Sequence, residues 1–252
     1  MRGLQGKAGI IVGAGRGIGA ATARRFAEEG AGVVVGDYEG DWAENVAASI
    51  RDAGGRAIGV RVDATDPASA AGIVAACVAE YDRLDFFCSN LAGGTEGDVD
   101  ALNCSLDVFD RSVGINMRSH LIGTKAALPV MLERGSGAII YTSSGAASAG
   151  APWQVAYPMT KNAIHPLARH VASKWGREGI RANVICPGLV LTEAAMQHLT
   201  PEYLERGKAV TPHTRLGDPK DIAAAIVFLA SEDGEWVNGQ VWHVNGGTQM
   251  RD

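Results

Sequence analysis

Seven short apolar runs, most of them rich in β-branched residues, recur along the chain at 9–12, 33–35, 57–62, 85–88, 138–141, 182–186 and 240–244. Longer stretches with helical apolar spacing separate them, at 20–29, 42–52, 67–81, 106–133, 157–177 and 219–229. Near-continuous apolar strands belong to parallel sheets buried on both faces, and right-handed crossovers then place helices on each side. The expected architecture is therefore α/β, a three-layer doubly wound sheet in one domain spanning 1–252, with no linker and no internal repeat. One segment breaks the alternation. The stretch 189–218 is too long for an ordinary connection, which predicts a mobile loop over the substrate.

Composition narrows the functional classes. Apolar residues make up 46% and charged residues 20%, enough to bury a sizeable core. The net charge of −5 arises from acids and bases without a block of like sign, so neither nucleic acid nor an anionic membrane is an expected partner. The uncharged stretch 135–160 is long enough to cross a bilayer, yet it holds Thr142, Ser143, Ser144, Pro152, Gln154 and Pro158 and does not read as a membrane helix. The apolar stretch 8–15 is short for a secretion signal and is closed by Arg16, so a cytoplasmic location is expected. Cys77, Cys88, Cys104 and Cys186 match no metal-ligand spacing, and neither a disulfide nor a metal is expected.

Ligands of an open parallel sheet bind beyond the carboxyl ends of its strands, so the residues following each apolar run are the ones to search. After the first run comes Gly13-Ala14-Gly15-Arg16-Gly17-Ile18-Gly19, leading directly into a helix. With 33 glycines in the chain the spacing alone means little; its placement between strand and helix is what fits a pyrophosphate. The second run is followed by Gly36-Asp37, where a carboxylate accepts bonds from ribose hydroxyls and repels a 2′-phosphate. That favours NAD, although Arg16 offers a phosphate clamp that would admit NADP. Asp63 is placed either to reach an adenine edge or to cap the helix starting near Pro67. Asn90-Leu91-Ala92-Gly93 follows the fourth run, where short side chains let the chain pass close to a dinucleotide.

Tyr157 and Lys161 stand four apart in a helical stretch, hence on one face. A neighbouring ammonium favours phenolate, which suits a general acid or base for an alcohol. Ser144, just after the fifth run, is placed to hydrogen-bond a substrate oxygen. Pro166 lies well inside the same helical stretch and predicts a kink near Asn162.

Taken together and in order, Gly13-x-x-x-Gly17-x-Gly19, Asp63, Asn90-x-Ala92-Gly93, Asn116, Ser144, Tyr157-x-x-x-Lys161 and Pro187-Gly188 with Thr192 resemble the short-chain dehydrogenase/reductase family over essentially the whole chain. The resemblance implies a Rossmann fold with a seven-stranded parallel sheet. It implies that Tyr157 donates or accepts the proton, that Lys161 binds the nicotinamide ribose and lowers the tyrosine pKa, and that Ser144 orients the carbonyl. Asn116 would hold a water linking Lys161 to solvent. The cofactor would lie along Gly13, Arg16, Gly17, Ile18, Gly19, Asp37, Asp63, Ala64, Asn90, Ala92, Gly93, Tyr157, Lys161, Pro187, Gly188, Val190 and Thr192. The chain departs from the family pattern at Val12, Leu91, Cys186 and Asn245, none of which is a reacting group; Pro158 and Thr160 bear on where the catalytic helix starts.

The reaction expected is hydride transfer between nicotinamide and a ketone or secondary alcohol. The alternatives are a reductase of 3-oxoacyl groups held on a carrier protein and a dinucleotide-binding sensor without catalysis. Trp153, Gln154, Leu189 and Met196 are the expected substrate contacts. The apolar character of Trp153, Leu189 and Met196, with no arginine fork nearby, points to a neutral and bulky or cyclic substrate. The long apolar helix 106–133 and the helix after Tyr157 suggest packing against a second copy, as a homodimer or homotetramer.

Overall fold

The structure, a computed structural model, describes residues 1–197 and 199–250. All seven apolar runs form strands: β1 Ala8–Val12, β2 Gly32–Asp37, β3 Arg56–Arg61, β4 Phe86–Ser89, β5 Gly137–Thr142, β6 Ile180–Pro187 and β7 Val241–Val244. They make one parallel sheet in the order β3-β2-β1-β4-β5-β6-β7. The order reverses between β1 and β4, which opens a crevice at the carboxyl ends of these strands.

Strand alternation distributes the apolar pairs to two cores. Ile11, Val33, Val35, Phe86, Ile140 and Ile185 face one side, where Phe26 stacks on Phe86 with ring centroids 3.9 Å apart. Ile10, Val34, Phe87, Ile139 and Val184 face the other. The first core is covered by helices α1 Gly17–Glu28, α2 Gly40–Asp52 and, late in the chain, Pro219–Ala230. The second is covered by α3 Pro67–Tyr81 and by the helical stretches on either side of β5. Each fully buried aliphatic or aromatic side chain contributes about 1.5–3 kcal/mol, so both faces must stay covered for the sheet to persist.

The long helix expected over 106–133 is interrupted. It consists of α4 Leu106–Val113, a π-helical turn Gly114–Arg118 and α5 Ser119–Arg134. In the π turn the Ser119 amide reaches back to the Gly114 carbonyl, which inserts one extra residue into the winding and aims Asn116 into the interior. The helix expected over 157–177 is broken too, into α6 Ala156–Asn162 and α7 Ile164–Trp175, followed by a 3₁₀ turn at Gly176–Glu178. The break falls at Ala163, beside the expected kink. Pro166 there occupies the first turn of α7, where a backbone N–H has no intrahelical acceptor and a proline is tolerated.

The segment 189–218 carries regular structure: α8 Glu193–Met196 and α9 Pro201–Val210 lie within it, before α10 Pro219–Ala230. Its two ends meet. Leu191 N donates to the Gly217 carbonyl at 2.8 Å and Gly217 N to the Leu189 carbonyl at 3.0 Å, forming a parallel bridge between Val190 and Gly217. Thr192 and Thr200 cap the two helices through their hydroxyls, and Pro201 begins the second.

Candidate active site

A cleft of about 730 Å³ runs across the carboxyl ends of β1, β2, β4, β5 and β6. One end is formed by the glycine turn. Gly13 and Gly17 have φ of +76° and +57°, which side-chain-bearing residues rarely adopt. A Cβ on Gly19 would stand 2.1 Å from the Gly13 carbonyl oxygen, so Gly19 seats α1 against the turn while lying outside the cleft lining itself. The turn is braced from three sides. Gly13 N and Ala14 N donate to the Gly36 carbonyl at 2.8 and 3.0 Å, Asn90 Nδ2 donates to the Gly13 carbonyl at 3.0 Å, and Gly15 N donates to Asp37 Oδ2 at 2.8 Å. No side chain caps α1, so its first-turn amides remain available to an anion.

Asp37 lines the cleft at the end of β2 beside Tyr38 and Trp42. Arg16 does not pair with Asp37. Its guanidinium lies over the Trp42 ring at 4.5 Å, and Arg61 covers Tyr38 in the same way at 5.0 Å. Asp63 lines the cleft but does not cap α3; its carboxylate accepts from Thr65 N and Oγ1 at 2.9 and 2.7 Å, bonds that hold its carboxyl below the usual carboxylate range. The cap is Asp66, which accepts from Ala68 N and Ser69 N. Ile18, Ala64, Asn90, Ala92, Gly93, Pro187, Gly188, Val190 and Thr192 also line the cleft, and the Thr192 methyl would lie 3.2 Å from a Cβ on Gly17.

Ser144, Tyr157 and Lys161 converge on the inner wall. Burial pushes the Tyr157 phenol up, while a hydrogen bond with the Ser144 side chain pulls it down and the nearby Cys186 raises it further. Lys161 is fully buried; burial drives its ammonium down to about 7. Its Nζ donates to the carbonyls of Leu91 and Thr142, the latter at 2.9 Å, and sits 5.8 Å from the centre of the Tyr157 ring. The expectation that the lysine charge lowers the phenol therefore meets a competing effect, because burial acts on both groups and dominates each. Behind Lys161, its own carbonyl accepts from Ser143 Oγ at 2.9 Å, and Ser143 meets His165 Nε2 at 3.0 Å.

Asn116 lies behind the wall and does not face the cleft. Its Nδ2 donates to the Gly93 carbonyl at 2.7 Å and to Ser112 Oγ at 3.1 Å, and its Oδ1 accepts from Gly93 N. Of the expected substrate contacts only Leu189 lines the cleft. Trp153 and Met196 are about half exposed, at 54% and 49%. After the 3₁₀ turn Gly145–Ser148 the chain reaches α6 through a turn that leaves Trp153 in solvent, and Gln154 beside it is likewise outside the lining. Sequence reasoning missed the two carbonyls that hold Lys161. Main-chain acceptors leave no side-chain signature, which is also why leucine is tolerated at position 91. Among the described residues no cluster of His, Cys, Asp or Glu is placed to hold a metal ion, and no helix is long and apolar enough to cross a membrane.

A family model described as enoyl-(acyl carrier protein) reductase matches residues 13–249. The chain is 36% identical to 2,5-dichloro-2,5-cyclohexadiene-1,4-diol dehydrogenase of Sphingobium indicum, over 97% of its own length and 96% of the relative's. The chain belongs to the short-chain dehydrogenase/reductase family. It is also 35% identical to the 7alpha-hydroxysteroid dehydrogenase of Escherichia coli K12, over 97% and 94% of the two chains. A solved structure of a 7alpha-hydroxysteroid dehydrogenase complexed with NADH and 7-oxo glycochenodeoxycholic acid superimposes with a TM-score of 0.92 at 35% identity, covering 97% of this chain and 94% of that one. As a member of this family the chain is a Rossmann-fold oxidoreductase acting on CH–OH groups.

Proposed function

We propose that this oxidoreductase uses NAD to interconvert a neutral, bulky or cyclic secondary alcohol and its ketone. The observation that carries the reading is one cleft joining Ser144, Tyr157 and Lys161 at its inner wall to the glycine turn and Asp37 at its far end. The relatives support the bulky and cyclic part of that class, since their names specify a cyclohexadiene diol and a hydroxysteroid. Gly13, Arg16, Gly17 and Ile18 would hold the pyrophosphate, Asp37 the adenosine ribose, and Asp63 and Ala64 the adenine. Asn90, Ala92 and Gly93 would pass along the dinucleotide, Lys161 would bind the nicotinamide ribose, and Pro187, Gly188, Val190 and Thr192 would face the carboxamide end. When bound, NAD supplies the hydride acceptor. In the oxidation direction the Tyr157 phenolate takes the hydroxyl proton at Oη while Ser144 holds the substrate oxygen. Asn116 braces the Gly93 turn and so the wall on which Lys161 rests.

Helices α8 and α9, within the stretch 189–218 expected to be mobile, are the part we assign to closing over a large ring, with Leu189 lining the cleft where that stretch begins. Cys77, Cys88 and Cys186 are buried, and we assign the chain to the cytoplasm as the sequence reading expects. Met117 and Leu121, one turn apart, present an apolar strip at 38% and 48% exposure, the surface we assign to a homodimer or homotetramer contact. Light scattering at micromolar concentration is expected to return a multiple of 26.2 kDa; a monomer would overturn the assembly.

Cyclic and linear alcohols and ketones, with a carrier-bound acyl substrate included, followed at the nicotinamide absorbance with NAD and NADP, test the reading directly. Turnover with none of them would favour a sensor. Asp37→Ala is expected to raise the KM for NAD about tenfold or more, the scale of one lost charge-assisted hydrogen bond, and to narrow the preference over NADP. Preference for NADP in the unsubstituted enzyme would show that Arg16 outweighs Asp37.

A further inference from the structure

Helix α6 begins without a cap from its own neighbourhood: Val155 precedes it and offers no side-chain bond. Its opening amides are nevertheless all taken. Val155 N and Ala156 N donate to Asp98 Oδ1 at 3.0 and 2.9 Å, and Tyr157 N donates to Asp98 Oδ2 at 2.8 Å. Asp98 lies 57 to 59 residues upstream, in the segment between β4 and α4.

That segment is itself held in place. Gly97 adopts a φ of +81°, Asp98 N donates to the Thr95 carbonyl at 3.0 Å, the Arg111 guanidinium donates to the Glu96 carbonyl, and the Cys104 thiol approaches Asp98 Oδ1 at 3.8 Å. Burial pushes the Asp98 carboxyl up, but the amides of Ala156, Tyr157 and Val155 outweigh it and keep the group below its ordinary range. The bonds are therefore charge-assisted, and the anion also sits favourably at the start of α6. A Ser or Thr cap would fix the helix only to the chain just before it. A carboxylate from another segment fixes it to the wall that carries Asn90, Ala92 and Gly93. Farther along α6, Thr160 meets Ser112 at 3.2 Å, but Tyr157 precedes that tie.

We propose that Asp98 is the positioning residue for Tyr157: by binding the tyrosine's own amide and the two before it, Asp98 sets the height of the phenol over the cleft relative to the dinucleotide-facing wall. The inference rests on the reading of Tyr157 as the proton-transfer group. Asp98 touches neither substrate nor cofactor in this role.

The test compares Asp98→Ala, Asp98→Asn and Tyr157→Phe, alone and with Asp98→Ala combined with Tyr157→Phe, in the full chain with NAD and the best alcohol of the panel. Asp98→Ala is expected to lower kcat by about tenfold or more while the dissociation constant for NAD stays within about twofold, since small displacements of a reacting group are costly. Proton transfer then becomes slower, so the solvent deuterium isotope effect on kcat grows. Asp98→Asn keeps one acceptor oxygen and is expected to fall between the two. Measured on residual activity, the cost of Asp98→Ala disappears in the Tyr157→Phe background, because nothing is left to position. If Asp98→Ala leaves kcat within about twofold, or lowers it only in proportion to the fraction of molecules that bind NAD with the isotope effect unchanged, the positioning role is wrong. Full turnover by Tyr157→Phe would instead overturn the underlying assignment of the tyrosine, and the two failures are thereby distinct.

Discussion

Tyr157→Phe is expected to reduce turnover by about 10²–10⁴-fold while leaving NAD affinity within a few-fold. The substitution removes only the hydroxyl that meets Ser144; the ring stays where α6 places it. Turnover assays alongside a fluorescence titration with NAD separate the two effects, and retained turnover would overturn the role. The same group sets the pH dependence of the unsubstituted enzyme. Alcohol oxidation needs the phenolate, so log kcat/KM climbs with pH at a slope of about one up to the tyrosine pKa. Ketone reduction needs the phenol and declines above it. Because burial raises this pKa, the rising limb for oxidation lies on the alkaline side.

Lys161→Met is expected to lose both turnover and dinucleotide affinity, since in the proposed function one ammonium serves both the ribose and the tyrosine's surroundings. It also strips the Leu91 and Thr142 carbonyls of their donor, at a cost of about 1–3 kcal/mol for each buried group left unpaired. An opposing contribution depends on pH. The ammonium titrates near 7 in the fold against 10.5 in the open chain. Below about 7 both states are charged and the fold bears the whole burial penalty; between 7 and 10.5 the unfolded chain binds more protons, so stability rises with pH. The melting temperature of the unsubstituted protein should accordingly gain on that of Lys161→Met across this window. A difference independent of pH would show that Lys161 is not buried as a titrating group.

Side-chain chemistry made much of this molecule legible before any coordinates. The apolar pairs Ile10-Ile11, Val33-Val34 and Phe86-Phe87 can be satisfied only by burial on both faces of a sheet, and they define three strands almost to the residue. The four-residue spacing of Tyr157 and Lys161 and the position of the glycine turn were equally plain, because helical period and φ freedom are local properties. What escaped was set by main-chain geometry or by distant partners. The π-helical turn at Gly114–Arg118 has no composition of its own, and an apolar period over 106–133 cannot distinguish one extra residue in the winding. Asp63 reads from the sequence as a cap for α3 or an adenine contact, and only the path of the chain gives the cap to Asp66. Trp153 carries an apolar ring at a position between two catalytic residues, yet the turn before α6 turns it outward. Asp98 looks like any loop aspartate until α6 is folded against it.

The hydrogen-bonded closure of residues 189–191 on Gly217 has a consequence for how this enzyme can be altered. Everything between those points enters and leaves the scaffold through a single pair of neighbouring main-chain positions, with Thr192 and Asp218 as helix caps on either side. The intervening chain is thus a cassette. Lengthening such a loop costs only about 0.6 kcal/mol for each doubling, so inserts of different size can be exchanged here as long as the bond from His213 N to the Gly246 carbonyl, just beyond β7, is kept. A segment transplanted from the hydroxysteroid-oxidising relative between these junctions should carry its substrate preference with it, while Ser144, Tyr157 and Lys161 on the opposite wall stay as they are.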